Sequence, residues 1–266
     1  MPEIDRGGVQ SSPNEQRDFR DPTAIAVFLD LDGTLLDLAE TPSGVTVTQD
    51  LLSRLRRLHR LLDGAVAIVS GRPIIDVDRL LSPLQLPVAG LHGFERRSAL
   101  GEYHRATLPA GVQLEFLRRT LRGIADRHPG TLLEDKTYSL ALHFRKNPEF
   151  GAAICSSIER AVDSLQGEFE CQPGRFVMEV RPRSATKGRA VAAFMRERPF
   201  EGRTPLVAGD DLTDESSFAV ANQLGGISIA VAPEHVTAAT FTLPDVNAMH
   251  AWLDTLLTQF ARARPC

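Results

Sequence analysis

Cysteine is scarce in this chain. Its three thiols, Cys155, Cys171 and Cys266, are odd in number and widely separated among 266 residues. That spacing suits neither a disulfide scaffold nor a four-ligand zinc site, and it points to a reducing compartment. A cytoplasmic protein is the expectation. Tryptophan and tyrosine are also rare, one and two residues respectively, so no aromatic ladder for stacking bases is available. Positive charge does not dominate either, since 30 Lys and Arg stand against 34 Asp and Glu for a formal net charge of −4. The arginine-rich Leu52–Arg60 stretch has the apolar spacing of a surface helix, not the character of a cationic arm. These absences argue against a nucleic-acid partner. No apolar run approaches the roughly 20 residues of a membrane span, and no membrane association is expected. Residues 1–22 are polar, lack the apolar core of a signal peptide and read as a disordered tail.

Apolar runs that empty into acids or hydroxyls are plentiful by contrast. Ile25–Leu29 is a strand-like run leading into Asp30-Leu31-Asp32-Gly33-Thr34. Because strand residues alternate sides, Asp30 and Asp32 both project beyond the strand's carboxyl end while Leu31 points away. Open α/β sheets bind ligands at that end. One carboxylate of such a pair can attack phosphorus; its neighbour can protonate a leaving oxygen and later activate water. Gly33 and Thr34 permit a tight turn whose N–H groups face a phosphoryl group. Alone, an Asp-Gly sequence is equally at home closing a hairpin.

Three further runs narrow the choice. Ala65–Val69 ends in Ser70-Gly71-Arg72, a hydroxyl and a glycine suited to a phosphate oxygen. Lys187 opens an amphipathic helical stretch, an unfavourable place for a cation unless an anion lies nearby. Leu206–Gly209 empties into Asp210-Asp211-Leu212-Thr213-Asp214-Glu215, four acids within six positions. So many carboxylates repel one another unless a cation sits among them, and Mg2+ suits such oxygen ligands. A dipole-stabilised acidic helix start explains Asp214 and Glu215, but not Asp210 directly after a strand.

These four segments, in this order, resemble the signatures of the haloacid dehalogenase superfamily of phosphotransferases. The resemblance implies a Rossmann-like parallel-sheet core, hence an α/β fold. From Asp30 to Ser70 is 40 positions, room for one helix and a short connection; from Ser70 to Lys187 is 117, enough for a second domain. Strand-like Leu86–Gly93 is expected to finish its half of the core sheet. Beyond it come a helix near Ala110–His128, strands at Thr131–Lys136 and Ser139–Arg145, a helix over Pro148–Leu165, and strands at Glu168–Gln172 and Arg175–Arg181. This repeated helix-strand-strand order predicts an inserted α+β cap over residues 106–182, hinged near Arg105 and Pro182, with 23–105 and 183–266 forming the core. A short strand near Ile227–Val231 and a last helix over Val246–Ala261, with Trp252 on its apolar face, complete the core.

Polar residues interrupt the predicted cap strands at Glu134, Lys136, His143, Arg145, Glu179 and Arg181. Acids and bases together suit a polyhydroxylated sugar, whose hydroxyls both donate and accept. Taken singly, each is also what the solvent face of a strand carries. Together with Ala89–Arg97 and the Gly209–Glu215 segment, they are similar to the motifs of bacterial trehalose-6-phosphate phosphatases, over about Phe28 to Trp252. That resemblance implies Mg2+-dependent hydrolysis of trehalose 6-phosphate through an aspartyl-phosphate, with a functional link to the synthase that makes the substrate. It implies Asp30 as nucleophile, Asp32 as acid/base, and Ser70 and Lys187 as phosphoryl ligands. Metal binding falls to Asp30, Asp32 through its carbonyl, and Asp210, with Asp211 or Asp214 supporting it or pairing with Lys187. Gly71, Arg72, His92, Glu134, Lys136, His143, Arg145, Glu179 and Arg181 line the substrate. Arg181 stands where the family pattern leads one to expect lysine, which leaves that sugar contact open. A phosphatase of sucrose or hexose phosphate would share the core and differ in the cap. A phosphomutase would share Asp30 and Asp32. A non-catalytic sensor or synthase partner would be expected to have lost one of the carboxylates, and none is lost.

Overall fold

The computed structural model describes residues 21–38, 45–106, 111–136, 138–165, 167–174 and 176–263; the first 20 residues of the expected tail and Cys266 lie outside them. The chain divides into two compact units, one built from residues up to His104 and from Thr186 onward, the other from Arg105–Ala185.

The first unit is a parallel-dominated sheet flanked by helices. Its strands are β1 (Ile25–Leu29), β2 (Val66–Val69), β3 (Val88–Gly90), β4 (Glu95–Arg97), β5 (Tyr103–Arg105), β10 (Thr204–Gly209), β11 (Ile227–Val231) and β12 (Phe241–Leu243). They run in the order β12-β11-β10-β1-β2-β3-β4-β5, parallel from β12 through β3 and antiparallel at β3–β4. The β1, β2, β10 and β11 cores are buried on both faces, as unbroken runs such as Ala26-Val27-Phe28-Leu29 require. Each large apolar side chain so buried contributes about 1.5–3 kcal/mol. Phe28 stacks on Phe200 with ring centroids 5.3 Å apart, and Phe194 packs on both rings, which anchors β1 two residues before Asp30.

From β1 the chain crosses to β2 in one direction, and from β10 to β11 in the other. Right-handed crossovers then put helix α1 (Gln49–Leu61) and helix α6 (Glu215–Gln223) on opposite faces. The order reverses between β1 and β10, so the crevice for a ligand opens beyond the carboxyl ends of those two strands. Helix α2 (Ile74–Leu81) follows β2, α5 (Lys187–Phe194) precedes β10, and α7 (Val246–Ala263) closes the unit. α7 is tied to α1 by a bidentate Arg54–Asp254 pair at 2.8 Å. Trp252 is buried in the core, as its apolar stripe predicts.

Two expectations for this unit need correction. The Leu86–Gly93 strand shrinks to Val88–Gly90, because Leu91 and His92 take positive φ angles of 50° and 55° and form one 3-10 turn. Nor does β3 finish the sheet: β4 and β5 extend it, with Arg97 forked onto Asp78 at 2.6 and 2.7 Å. Charged side chains at β4 masked its strand character in the sequence, and β12 was too short to register.

The second unit carries helices α3 (Gly111–Arg127) and α4 (Gly151–Asp163) on a four-stranded antiparallel sheet in the order β6-β7-β9-β8. Its strands are β6 (Leu132–Asp135), β7 (Leu140–His143), β8 (Phe169–Gly174) and β9 (Val177–Pro182). A separate core of Leu117, Leu121, Leu140, Leu142, Ile154, Ile158, Met178 and Val180 fills the space between helices and sheet. Pro148–Phe150 forms a 3-10 turn ahead of α4, so the helix starts three residues later than its apolar spacing suggests. No helix among the described residues is long and apolar enough to cross a membrane.

Candidate active site

At the switch point, β1 delivers Asp30 and β10 delivers Asp210 beyond adjacent strand ends. The backbone N–H of Asp30 donates to the Ala208 carbonyl, carrying the β1–β10 ladder one residue past the strand. Leu31 turns into the core, as alternation requires. A 3-10 turn, Leu212–Asp214, brings Asp214 back beneath the strand end. One carboxylate oxygen each from Asp30, Asp210 and Asp214 lies within 4.8 Å of the others.

Space for these carboxylates comes from two glycines. Gly33 has φ +80°, and a Cβ there would overlap the Asp210 carboxylate; a Cβ at Gly209 would overlap that of Asp214. Thr34 donates from Oγ1 to Asp210 Oδ1 at 3.3 Å.

Lys187, the first residue of α5, supplies the counter-charge. Its Nζ donates to Asp30 Oδ1 at 2.8 Å and to Asp214 Oδ1 at 2.9 Å, and all three side chains are buried. Thr186 caps the helix by accepting from Arg189 N–H at 3.1 Å, which fixes where Lys187 enters. Burial works against the ammonium, but Asp214 and Asp30 outweigh it and hold the lysine pKa above its ordinary value. One ammonium is not enough for three carboxylates. Burial, then the charges of Asp30 and Asp214, push Asp210 up to about 8. Burial likewise pushes Asp214 up to about 7 against the opposing pull of Lys187. A cluster of hard oxygen donors with this excess of negative charge fits a divalent cation such as Mg2+.

Ser70 directly follows the end of β2 and is buried. Its Oγ accepts from the Arg72 backbone N–H at 3.2 Å. Arg72 forks onto Asp32, with Nε to Oδ2 and Nη2 to Oδ1 both at 2.6 Å. This bond, ahead of the opposing effect of burial, raises the arginine pKa. Gly71 sits against the His92 ring, and the His92 N–H donates to the Ser70 carbonyl at 3.0 Å.

Of the residues singled out in the sequence, the first unit therefore gathers Asp30, Lys187, Asp210 and Asp214 in one cluster. Asp32, Ser70, Gly71, Arg72 and His92 lie along the neighbouring turns. Asp211 does not join the acid cluster: it is exposed, and its side chain accepts from Leu212 N–H as the cap of the 3-10 turn. Asp32 directs its carboxylate to Arg72 and not into the acid cluster.

In the second unit, period-2 alternation puts the remaining candidates on the sheet face away from the helices. Lys136 Nζ donates to Glu179 Oε2 at 3.1 Å, and Ser139 Oγ to Glu179 Oε1 at 2.7 Å. His143 Nε2 lies 2.9 Å from Glu134 Oε2. Arg181 is buried and committed to Glu170 Oε1 at 2.8 Å and Gln172 Oε1 at 3.0 Å. Arg145 is exposed beyond the end of β7. The sequence alone did not single out Glu95, Ser139, Glu170 or Gln172. Glu95 lay within a noted segment; for Ser139, Glu170 and Gln172 only the strand register reveals the partnership.

The sequence model of the trehalose-phosphatase family matches residues 28–247. Trehalose-6-phosphate phosphatase of Escherichia coli (strain K12) is 39% identical over 239 residues, covering 90% of this chain and 89% of that protein. A probable trehalose-phosphate phosphatase of Sinorhizobium fredii is 40% identical over 232 residues, covering 87% of each. Among solved structures, the C-terminal domain of C. albicans trehalose-6-phosphate phosphatase superposes with a TM-score of 0.75 at 21% identity, over 91% of this chain and 94% of that one; this is a likeness of fold. The extent of the family match, with the two relatives, establishes that the chain belongs to the trehalose-phosphatase family.

Proposed function

We propose that the chain hydrolyses trehalose 6-phosphate to trehalose and phosphate. The observation that carries this reading is the buried Asp30–Lys187–Asp214 arrangement with Asp210 beside it, in a chain of this family. Asp30 attacks phosphorus and forms an aspartyl-phosphate, while Asp32 passes a proton to the departing sugar oxygen. Asp32 then takes a proton from the water that cleaves the acyl phosphate. Lys187 and the Ser70 hydroxyl hold the phosphoryl oxygens, the lysine offsetting charge that would otherwise oppose the approach of a carboxylate to a phosphate dianion. Asp30, Asp210 and Asp214 would hold Mg2+, which when bound supplies further compensation of that charge.

The inserted unit serves as the cap. Lys136, Glu179, Glu134 and His143 offer charged donors and acceptors for sugar hydroxyls, and Arg181 sits in the same face with its fork already satisfied. Free thiols at Cys155 and Cys171 suit a cytoplasmic enzyme that works in sequence with a trehalose-6-phosphate synthase. Asp30→Asn tests the assignment. It is expected to abolish phosphate release while the thermal melt stays cooperative; retained turnover in that variant would contradict the nucleophile.

A further inference from the structure

An arginine beside an anion site can bind the anion, but Arg72 already has its side chain forked onto Asp32. Its carbonyl accepts from Leu91 N–H at 3.0 Å and its N–H donates to Ser70 Oγ at 3.2 Å. Two residues later, the Ile74 N–H at the start of α2 donates to Glu95 Oε1 at 2.7 Å, a bond that replaces the local side-chain cap α2 lacks. Gly71 presses against the His92 ring, where a Cβ would come within 2.7 Å of it. The backbone on both sides of Arg72 is thus pinned by the segment that follows β3. What extends from that anchor is a fork whose Nε and Nη2 hold both oxygens of Asp32, and the arginine side chain is only 12% exposed.

We infer that Arg72 is the positioning residue of Asp32, braced by Glu95, and not a ligand of the phosphoryl group. The inference rests on Asp32 as the acid/base of the reaction proposed above. A bidentate grip carries geometric information that a point charge lacks, because the plane of the carboxyl group follows the plane of the guanidinium. It also has a spare contact. One of the two bonds opens when an Asp32 oxygen carries a proton to the leaving group, and the other keeps the carboxyl aimed.

The consequence is a dependence on leaving group. A sugar alkoxide needs a proton as it departs, and a nitrophenolate does not. General acid catalysis contributes roughly 10²–10⁴-fold. Arg72→Ala is therefore expected to lower kcat for trehalose 6-phosphate by at least about 100-fold and for p-nitrophenyl phosphate by less than about 10-fold, with KM for each little changed. In an Asp32→Asn background the same substitution should cost little more, because residues that act as a unit are not additive. Arg72→Lys, which keeps the charge without the fork, should fall on the side of alanine; it carries the same comparison should the alanine variant fail to fold. Wild-type turnover of both esters, measured first, separates failure of the functional reading from failure of this inference. Equal losses on the two esters, or a loss expressed as raised KM for both, would overturn it and make Arg72 a phosphate ligand. Full additivity with Asp32→Asn would overturn it as well.

Discussion

Replacing Lys187 by methionine keeps most of the side-chain volume and removes the ammonium from between Asp30 and Asp214, which it bonds at 2.8 and 2.9 Å. Breaking a buried pair by deleting one partner costs about 3–5 kcal/mol, because an uncompensated charge stays inside. The folded protein escapes part of that cost by taking up a proton. At pH 5 the escape is cheap: neutralising one carboxyl with an unfolded pKa near 3.9 costs about 1.5 kcal/mol, at roughly 1.4 kcal/mol per pH unit. At pH 8 the proton is too expensive and the full buried-charge cost returns. The sign follows from the carboxyl pKa, already raised to about 7 at Asp214 and raised further without the lysine. A group whose folded pKa lies above its unfolded value lends stability at low pH and loses it as pH rises through the folded pKa. Urea denaturation of wild type and Lys187→Met in chelator, at pH 5, 6, 7 and 8, should show a deficit growing from ~1.5 to ~3–5 kcal/mol. A deficit constant across that range would refute the reasoning and leave only a packing defect.

In chelator the native protein should itself lose stability as pH rises through 7 to 8, where Asp210 and Asp214 ionise. Added Mg2+ should therefore raise the melting temperature more at pH 8.5 than at pH 6, and an equal rise at both would count against these acids as its ligands. Gly33→Ala should weaken Mg2+ binding, read as a higher concentration for half-maximal activity, because a methyl at φ +80° overlaps the Asp210 carboxylate; unchanged affinity would show that the carboxylate can move aside freely. Lys136→Ala should lower kcat/KM for trehalose 6-phosphate by about tenfold or more, the worth of a charge-assisted hydrogen bond, with little effect on p-nitrophenyl phosphate; equal loss on both would remove Lys136 from sugar recognition.

Much of this site is legible in the amino-acid sequence. A buried strand ending in carboxylates is a local signal, and Ile25–Asp32 and Leu206–Asp214 each contain one whole. Lys187 was legible because a cation at a helix start asks for an anion, and the structure supplies Asp30 and Asp214. The α/β class is what the resemblance carried by these segments implies. The less legible features were those that depend on register or on left-handed backbone. Arg72, which the resemblance places among the substrate-lining residues, forks onto Asp32, a partnership that only the pairing of β1 beside β2 reveals. Of Asp211 and Asp214, which the resemblance offers as support for the metal or as the partner of Lys187, Asp214 takes the lysine while the Asp211 side chain caps its own 3-10 turn. The end of β3 was misplaced because positive φ at Leu91 and His92 has no marker when glycine is absent from those positions. Arg181 differed from the expected lysine, and its partners Glu170 and Gln172 come from the strand it pairs with.

The most direct measurement is phosphate release by purified protein from trehalose 6-phosphate, beside sucrose 6-phosphate and glucose 6-phosphate, in Mg2+ and in chelator. The expected result is a kcat/KM for trehalose 6-phosphate at least about 100-fold above the others, the discrimination that buried hydrogen-bonding partners can provide, with activity lost in chelator and restored by Mg2+. Comparable turnover of all three sugars, or activity indifferent to chelation, would contradict it.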